Sequence, residues 1–404
     1  MNREYLLSSA IGQQRIPTFA DRGRTGFGAA HYSWSIVADM YRRGLAEIRR
    51  VAPIDAPDIY QHPIAMQTRG IPAEAIHLAS KPVELLRPLF GRTNVAIQLW
   101  EFAELSERAI EGDPRTNQVR MLKTMDAVWC ASSFTQQSLA AYGINSFHLP
   151  PPVTYGREHR CEPIDQVAAV TLDSKLYAPS PMTTLGELGI GSGDRDIYLA
   201  VLAPFDKRKN LRALLDGFLA SKAARTGTLL IKLILDNVVT SLPNINHILA
   251  DDFELEATSP AVVFCGEYLS TPQMNSLYDL AAFFVSSSAA EGLNLPLIES
   301  MARGVPAISS SRTAMNDYVS EERAIVLKAI RQPTMGDIHA LGPDLKTTFY
   351  PPTSAAITAA FDHAADLGTE QRKALGAKGA TFVNTAFGLE LFEQRVTAFE
   401  GTLA

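Results

Sequence analysis

The sequence predicts an α/β protein of two doubly wound domains, each a parallel sheet with helices on both faces. Three observations carry this expectation. Short apolar runs alternate with amphipathic stretches along most of the chain, which is the pattern of successive β–α–β units. The length of 404 residues has room for two domains, at roughly 100–200 residues each. A composition of 46% hydrophobic and 20% charged residues is that of a folded chain and excludes wholesale disorder. The expected division is a first domain over 1–185, a second over 186–385, and a helix over 386–404 that packs back towards the first.

In the first half, residues 6–11 read as a strand, followed by the glycine-bearing loop 22–28. Residues 29–43 place Trp34, Val37, Ala38 and Tyr41 at helical spacing. Residues 95–99 and 127–131 read as buried strands, and 133–142 as a helix stopped by Gly143. Pro150-Pro151-Pro152 closes this region, and the Pro and Gly content of 153–190 reads as a linker passage. In the second half, 197–203, 229–235, 262–265, 283–286 and 306–309 read as strands. Residues 210–220, 273–281 and 296–303 read as the helices between them, with Leu211, Leu214, Leu215 and Phe218 on one face of the first. A last helical stretch, 389–399, follows Phe387-Gly388.

Several classes are set aside by composition. No apolar run approaches the roughly 18 residues that span a bilayer; the best, 229–235, is interrupted by Lys232. Tyr5-Leu6-Leu7, after Arg3 and Glu4, is too short for a signal-peptide core. Cys130, Cys161 and Cys265 lie far apart, which argues against a disulfide framework and a Cys-based zinc site. The expectation is a soluble cytoplasmic protein. Net charge is −6 but unevenly spread: residues 1–50 hold eight arginines against four acids, a balance of +4. A basic end on an acidic protein fits an anionic partner, such as a phosphate group or a membrane surface, or simply a solvated face. No aromatics interleave with clustered basics, so nucleic acid is not an expected partner.

The most informative stretch is Ser286-Ser287-Ser288-Ala289-Ala290-Glu291-Gly292-Leu293-Asn294-Leu295-Pro296-Leu297-Ile298-Glu299. A strand ends in a small polar loop that holds Glu291. Gly292 permits close backbone approach, Asn294 suits an N-cap and Pro296 the first helical turn. The amides of Gly292, Leu293, Asn294 and Leu295 then lie at a helix N-terminus, which receives a diphosphate or a sugar hydroxyl. Glu299 lies roughly 6 Å along that helix at 1.5 Å per residue, where its carboxylate can accept the paired hydroxyls of a ribose. A second stretch, Ala203-Pro204-Phe205-Asp206-Lys207-Arg208-Lys209-Asn210, follows a strand and opens a helix. Consecutive cations there suit a diphosphate leaving group, with Lys209 the first choice and Arg208 the second. The alternative for both stretches is a set of surface charges on an ordinary α/β domain.

The segment Glu-Gly-x-x-Leu-Pro-x-x-Glu-x-Met-Ala-x-Gly-x-Pro from Glu291 to Pro306 resembles the Glu-x7-Glu signature of family-4 retaining glycosyltransferases, and the Arg208-Lys209-Asn210 turn resembles the basic segment of that family. The Thr313-Ala314-Met315-Asn316-Asp317-Tyr318 stretch is similar to bacterial polysaccharide and lipid-linked glycan members. The resemblance covers roughly 197–330 well. The first half matches loosely, through Gly26-Phe27-Gly28, Trp100-Glu101 and 129–134. It implies the GT-B fold, two Rossmann-like domains facing across a cleft, with an acceptor-binding first domain and a nucleotide-sugar-binding second. It implies that backbone groups at Gly266, Tyr268 and Leu269 line the base pocket, although Tyr268 equally suits ordinary packing. Gly26 and Gly28 are then expected near the diphosphate or acceptor.

The implied activity is transfer of a hexose from a nucleotide-diphosphate sugar to a glycan or lipid-linked glycan, in cell-surface polysaccharide synthesis. Such an enzyme is expected to work peripherally at the inner membrane face. Cations and helix amides can stabilise the leaving group without a metal. The one Asp-x-Asp, Asp194-Arg195-Asp196, precedes a strand, the wrong end of a parallel sheet for a ligand. No metal or cofactor is therefore expected; the nucleotide sugar is a substrate. Retention is explained in the family by same-face attack, with Glu291 holding the transferred sugar; covalent catalysis by Glu291 is the alternative. Many members carry a histidine after a first-domain strand. Here Trp100-Glu101-Phe102-Ala103-Glu104 stands at that place, and Glu101 is the substitute that could hold a donor hydroxyl or accept the acceptor proton. His31 is a lesser candidate. A sugar-nucleotide 2-epimerase on the same architecture and a catalytically dead binding partner are the competing readings.

Overall fold

The computed structural model describes residues 3–9, 30–54, 57–68, 70–110, 112–153, 160–175, 179–235, 241–335 and 346–403. Gly26, Gly28 and the side chain of His31 lie outside the described residues.

Two sheets dominate. The first is six-stranded: β1 (Glu4–Ser9), β2 (Arg50–Pro53), β3 (Ile76–Ser80), β4 (Thr93–Gln98), β5 (Ala127–Cys130) and β6 (Ser146–His148), in the order β2-β1-β3-β4-β5-β6. Every pairing in it is parallel. The second is eight-stranded: β7 (Ala168–Asp173), β8 (Thr183–Thr184), β9 (Asp196–Leu202), β10 (Gly227–Leu233), β11 (Thr258–Cys265), β12 (Phe283–Ser286), β13 (Ala307–Ser309) and β14 (Ala324–Val326), in the order β14-β13-β12-β9-β10-β11-β7-β8. A separate antiparallel hairpin pairs β15 (Gln332–Met335) with β16 (Lys346–Phe349).

Alternation along the strands explains why helices cover both faces. On β9, Tyr198, Ala200 and Leu202 face the Leu211–Leu219 helix through Leu211, Leu214, Leu215 and Phe218. Ile197 and Leu199 face the opposite way and join a core that also holds Leu297 and Ile298 of the Leu295–Ala302 helix. That same core continues into the first half through Val95, Ile97 and Trp129, so the two sheets share one apolar interior. The period of two in strands built from β-branched and aromatic residues is what permits this two-sided burial.

The linker expected over 153–190 is not what the structure holds. β7 and β8, which the sequence reading put inside the first domain (1–185), are strands of the second sheet: β7 runs antiparallel to β11 and β8 antiparallel to β7. They escape a β–α–β reading because no crossover helix separates them. They finish the edge of an otherwise parallel sheet, where antiparallel additions are common.

The final helix, Leu389–Gly401, lies against the first sheet. Its Phe399 ring meets Trp129 edge-on at 5.3 Å and Phe147 at 5.0 Å. Tyr5 donates its hydroxyl to Glu400 Oε1 at 3.0 Å, and Arg49 donates to both oxygens of Glu400. The basic N-terminal stretch is thus partly neutralised within the molecule: Arg49 by Glu400, and Arg42 and Arg43 by Asp39. Among the described residues no helix is long and apolar enough to cross a membrane.

Candidate active site

The order of the second sheet decides where a ligand belongs. From β9 the chain steps outward through β10 to β11, then returns to the other side of β9 for β12 and continues to β13 and β14. The crevice at the carboxyl ends of β9 and β12 is therefore the topological switch point, the standard ligand position in a doubly wound sheet. The two stretches singled out by the sequence follow these two strands.

After β9 comes the short 3-10 turn Lys207–Lys209, capped by Asp206, whose side chain accepts the Arg208 N–H at 3.0 Å. Asn210 then adopts a left-handed backbone with φ 56° and leads into the Leu211–Leu219 helix. After β12 the loop reaches Asn294, also left-handed at φ 62°, and enters the Leu295–Ala302 helix. Asparagine tolerates this conformation better than other residues with a side chain, so both helices begin on the same device. The expected capping role of Asn294 is not observed. Its Nδ2 donates instead to Ser286 Oγ at 2.9 Å, tying the end of the loop to the end of β12.

The two loops are stitched together. Ala289 N–H donates to the Arg208 carbonyl at 2.7 Å, and Ser287 Oγ donates to the Lys209 carbonyl at 2.7 Å. At the centre Lys209 Nζ meets Glu291 Oε1 at 2.5 Å. The backbone of Glu291 is fixed on both sides: its N–H donates to Thr313 Oγ1 at 3.0 Å, and its carbonyl accepts the Ala314 N–H at 3.2 Å. Thr313 holds this position with φ 52°, a strained backbone for a β-branched residue, of a kind that costs about 1–3 kcal/mol and clusters at functional sites.

Arg208 bridges the halves. Its Nε and Nη2 contact the two oxygens of Asp206 at 3.1 and 2.6 Å, while Nη1 donates to Glu101 Oε1 at 2.6 Å. Glu101 comes from the first half, three residues beyond β4. Burial pushes its carboxyl above the ordinary value, only partly offset by Arg208. Asp206 is held below its ordinary value: burial works against its charge, but Arg208 and Lys209 outweigh it.

The structure thus brings Glu291, Lys209, Arg208 and Glu101 into one charged cluster. Other sequence-derived candidates have different surroundings. Gly292 was expected to admit a ligand; a Cβ there would instead come within 2.8 Å of the Leu99 carbonyl carbon, so the glycine admits the backbone of the first half. The Leu293 side chain is buried in the shared core, and its carbonyl accepts the Tyr318 hydroxyl at 2.8 Å. Leu295 opens the helix, half-buried. Gly266 packs on Leu235 and Leu242, Leu269 is a core residue, and Tyr268 is half-buried. Glu299 accepts the Tyr278 hydroxyl at 2.7 Å, and burial pushes its carboxyl up to about 7 despite that bond. Asp196 and Asp194 sit at the amino end of β9, where Arg372 and Ser192 bond them. Among the described residues no group of three His, Cys, Asp or Glu is placed to hold a metal ion.

Sequence reasoning missed four residues that organise the site. Asp206 carried a signal, an N-cap residue type just before the basic turn. Thr313 and Asp317 lie in the 313–318 stretch and Glu104 closes the run that holds Glu101, but the bonds they make carried no local signal, because their partners are remote in sequence. Asp317 accepts from the Ser133 N–H at 2.8 Å and from its hydroxyl, at the start of the Ser133–Ala140 helix of the first half. Glu104 accepts the Thr348 N–H and hydroxyl at 3.0 and 2.8 Å, and Phe102 stacks on Phe349. These contacts fasten the β15–β16 hairpin to the first half.

Residues 200–335, which hold the Lys209–Glu291 pair, match the family described as Glycosyl transferases group 1. Solved structures give likeness along the whole chain. Sucrose-phosphate synthase from Thermosynechococcus elongatus aligns with a TM-score of 0.59 at 14% identity, covering 100% of this chain and 99% of that one. An α,α-trehalose-phosphate synthase (UDP-forming) from Burkholderia xenovorans, in complex with glucose-6-phosphate, aligns at 0.54 and 9%, covering 90% and 85%. The chain has the GT-B fold. S. aureus TarM, in complex with fondaparinux, α-GlcNAc-glycerol and UDP, aligns at 0.51 and 10% over 82% of this chain, which spans 57% of that structure's length. No curated protein sequence matches the chain. In GT-B terms, the charged cluster lies where the two facing domains meet, with Glu101 supplied by one and Arg208, Lys209 and Glu291 by the other.

Proposed function

We propose that this chain is a retaining, metal-independent glycosyltransferase that moves a hexose from a nucleoside-diphosphate sugar to a glycan or lipid-linked glycan. The observation that carries the reading is the Lys209–Glu291 pair at the switch point, inside the segment that matches the glycosyltransferase family. Lys209 and Arg208 would neutralise the departing diphosphate, whose negative charge grows as the glycosidic bond breaks. Glu291 would hold hydroxyls of the transferred sugar, oriented by Lys209 and by the two backbone bonds to Thr313 and Ala314. The acceptor would approach from the side of Glu101, and the departing phosphate would take its proton. Glu299, with Tyr278, would meet the ribose. A role in cell-surface polysaccharide synthesis at the inner membrane face follows the resemblance of 313–318 to bacterial glycan enzymes.

The test is a thermal-shift panel of UDP-, GDP-, dTDP- and ADP-sugars, followed by transfer assays with the stabilising donor. UDP-sugars come first, because TarM carries UDP and the Burkholderia xenovorans synthase is UDP-forming. Stabilisation by one donor class, with turnover that survives EDTA, is the expected outcome. Turnover lost in chelator and restored by magnesium or manganese would remove the metal-independent assignment. No stabilisation by any donor would remove the reading as a whole.

A further inference from the structure

We infer that Glu101 is a displaceable counter-ion: an incoming diphosphate takes the edge of Arg208 that Glu101 occupies, so donor binding and the release of Glu101 are one event. The inference rests on the glycosyltransferase reading of the site.

The cluster holds three carboxylates, Asp206, Glu101 and Glu291, against two cations, Arg208 and Lys209. Its formal charge is already negative. A diphosphate adds further negative charge at short range in a partly buried site, where like charges repel strongly. One carboxylate has to yield, and the geometry singles out which. Asp206 cannot leave without undoing the turn, because it accepts the Arg208 backbone N–H as well as two side-chain donors. Glu291 is almost fully buried and is pinned through its own backbone to Thr313 and Ala314. Glu101 has neither anchor. Its carboxylate is bonded to Arg208 Nη1, its one hydrogen-bond partner among the described residues, and its side chain is 23% exposed.

The arrangement of Arg208 sharpens the point. Nε and Nη2 are committed to Asp206, which leaves the Nη1 edge as the face the guanidinium can offer to another anion. Glu101 occupies that edge from the other domain. Its carboxyl is raised by burial where that of Asp206 is lowered by its cations, so of these two partners of Arg208 the surroundings favour Glu101 less as an anion. A carboxylate that merely positioned Arg208 for the donor would strengthen donor binding. One that competes with the donor for Arg208 weakens it. The two roles predict opposite signs.

The experiment is calorimetry with inorganic pyrophosphate, which carries the charge without base or sugar, and in parallel with UDP, GDP, dTDP and ADP, all without divalent cations. Glu101→Gln keeps the shape and removes the charge; Glu101→Ala removes the contact; Arg208→Ala removes the shared partner. Circular dichroism verifies folding of each. Both Glu101 variants are expected to bind pyrophosphate about tenfold more tightly than the wild type, the order of one charged hydrogen bond. Arg208→Ala is expected to bind it at least tenfold more weakly. Normal binding by the wild type with equal or weaker binding by Glu101→Gln overturns the counter-ion and leaves the glycosyltransferase reading standing. Failure of the wild type to bind pyrophosphate and all four nucleotides overturns both.

Discussion

At the scale of single residues, the opposite charges of Lys209 and Glu291 sit 2.5 Å apart in a site that exposes little of either. Removing one leaves the other uncompensated, so their variants act on more than one bond. Lys209→Ala is expected to lower transfer by about 10²–10³-fold, the usual loss for one contact to a developing oxyanion. Nucleoside affinity should stay close to normal, because interactions that strengthen in the transition state act on rate rather than on ground-state binding. The Arg208/Lys209 double variant should be worse than either single one; near-normal turnover in both would move the phosphate site elsewhere. Glu299 gives a pH signature. With its carboxyl held near pH 7 by burial, it turns anionic as pH rises from 6 to 8. Nucleoside affinity should increase over that interval in the wild type and stay flat in Glu299→Gln. Parallel profiles by calorimetry would take Glu299 out of the ribose contact.

At the scale of elements, Gly292 is the point where the Glu291 loop presses on the backbone after β4. Gly292→Ala inserts a methyl group 2.8 Å from the Leu99 carbonyl carbon and should push the two domains apart there. Overpacking of this kind costs about 1–3 kcal/mol of stability, and a loss of transfer is expected with the charged residues intact, because the displaced backbone leads directly to Glu101. Small-angle scattering unchanged from the wild type together with full activity would contradict it. This contact also marks the limit of what the sequence discloses. The strand 283–286 is legible to the residue, and the charged turn after β9 nearly so, because apolar runs followed by charge and asparagine are local signals. The strands β2, β3 and β6 went unread, being only three to five residues long, too short for a period of two to stand out. The helix Ser354–Asp366 is rich in alanine and the helix Thr369–Ala386 in alanine and glycine, which blurs the apolar stripe that would disclose them. In the site, residues adjacent to strand ends could be found. The bonds that Thr313, Asp317 and Glu104 make could not, since nothing local announces a partner that is remote in sequence: Glu291 for Thr313, Ser133 for Asp317 and Thr348 for Glu104.

At the scale of the whole molecule, the face of the first sheet turned away from the shared interior carries a buried polar chain: Ser8 Oγ lies 2.8 Å from His77 Nε2, and His77 Nδ1 lies 2.9 Å from Asn94 Oδ1. Burial lowers the His77 pKa from 6.5 to about 4, with the Asn94 bond opposing it weakly. The unfolded chain therefore binds a proton that the folded chain refuses between those values, and stability falls as pH drops through the interval. Between pH 7 and pH 5 the loss from this group is about 2 kcal/mol, at roughly 1.36 kcal/mol per unit below 6.5. Urea melts should show it in the wild type and lose that component in His77→Gln; identical slopes would assign the acid sensitivity elsewhere. The final helix bears on a different clock. Tyr5 waits for Glu400, 395 positions later in the chain, and at about 5–20 residues per second the ribosome takes roughly 20–80 s to make that span. Through that interval Trp129 has no Phe399 against it. The first sheet is thus finished by a helix made long after it, and until that helix emerges the nascent chain carries an open aromatic face, a standing target for whatever shelters unfinished proteins.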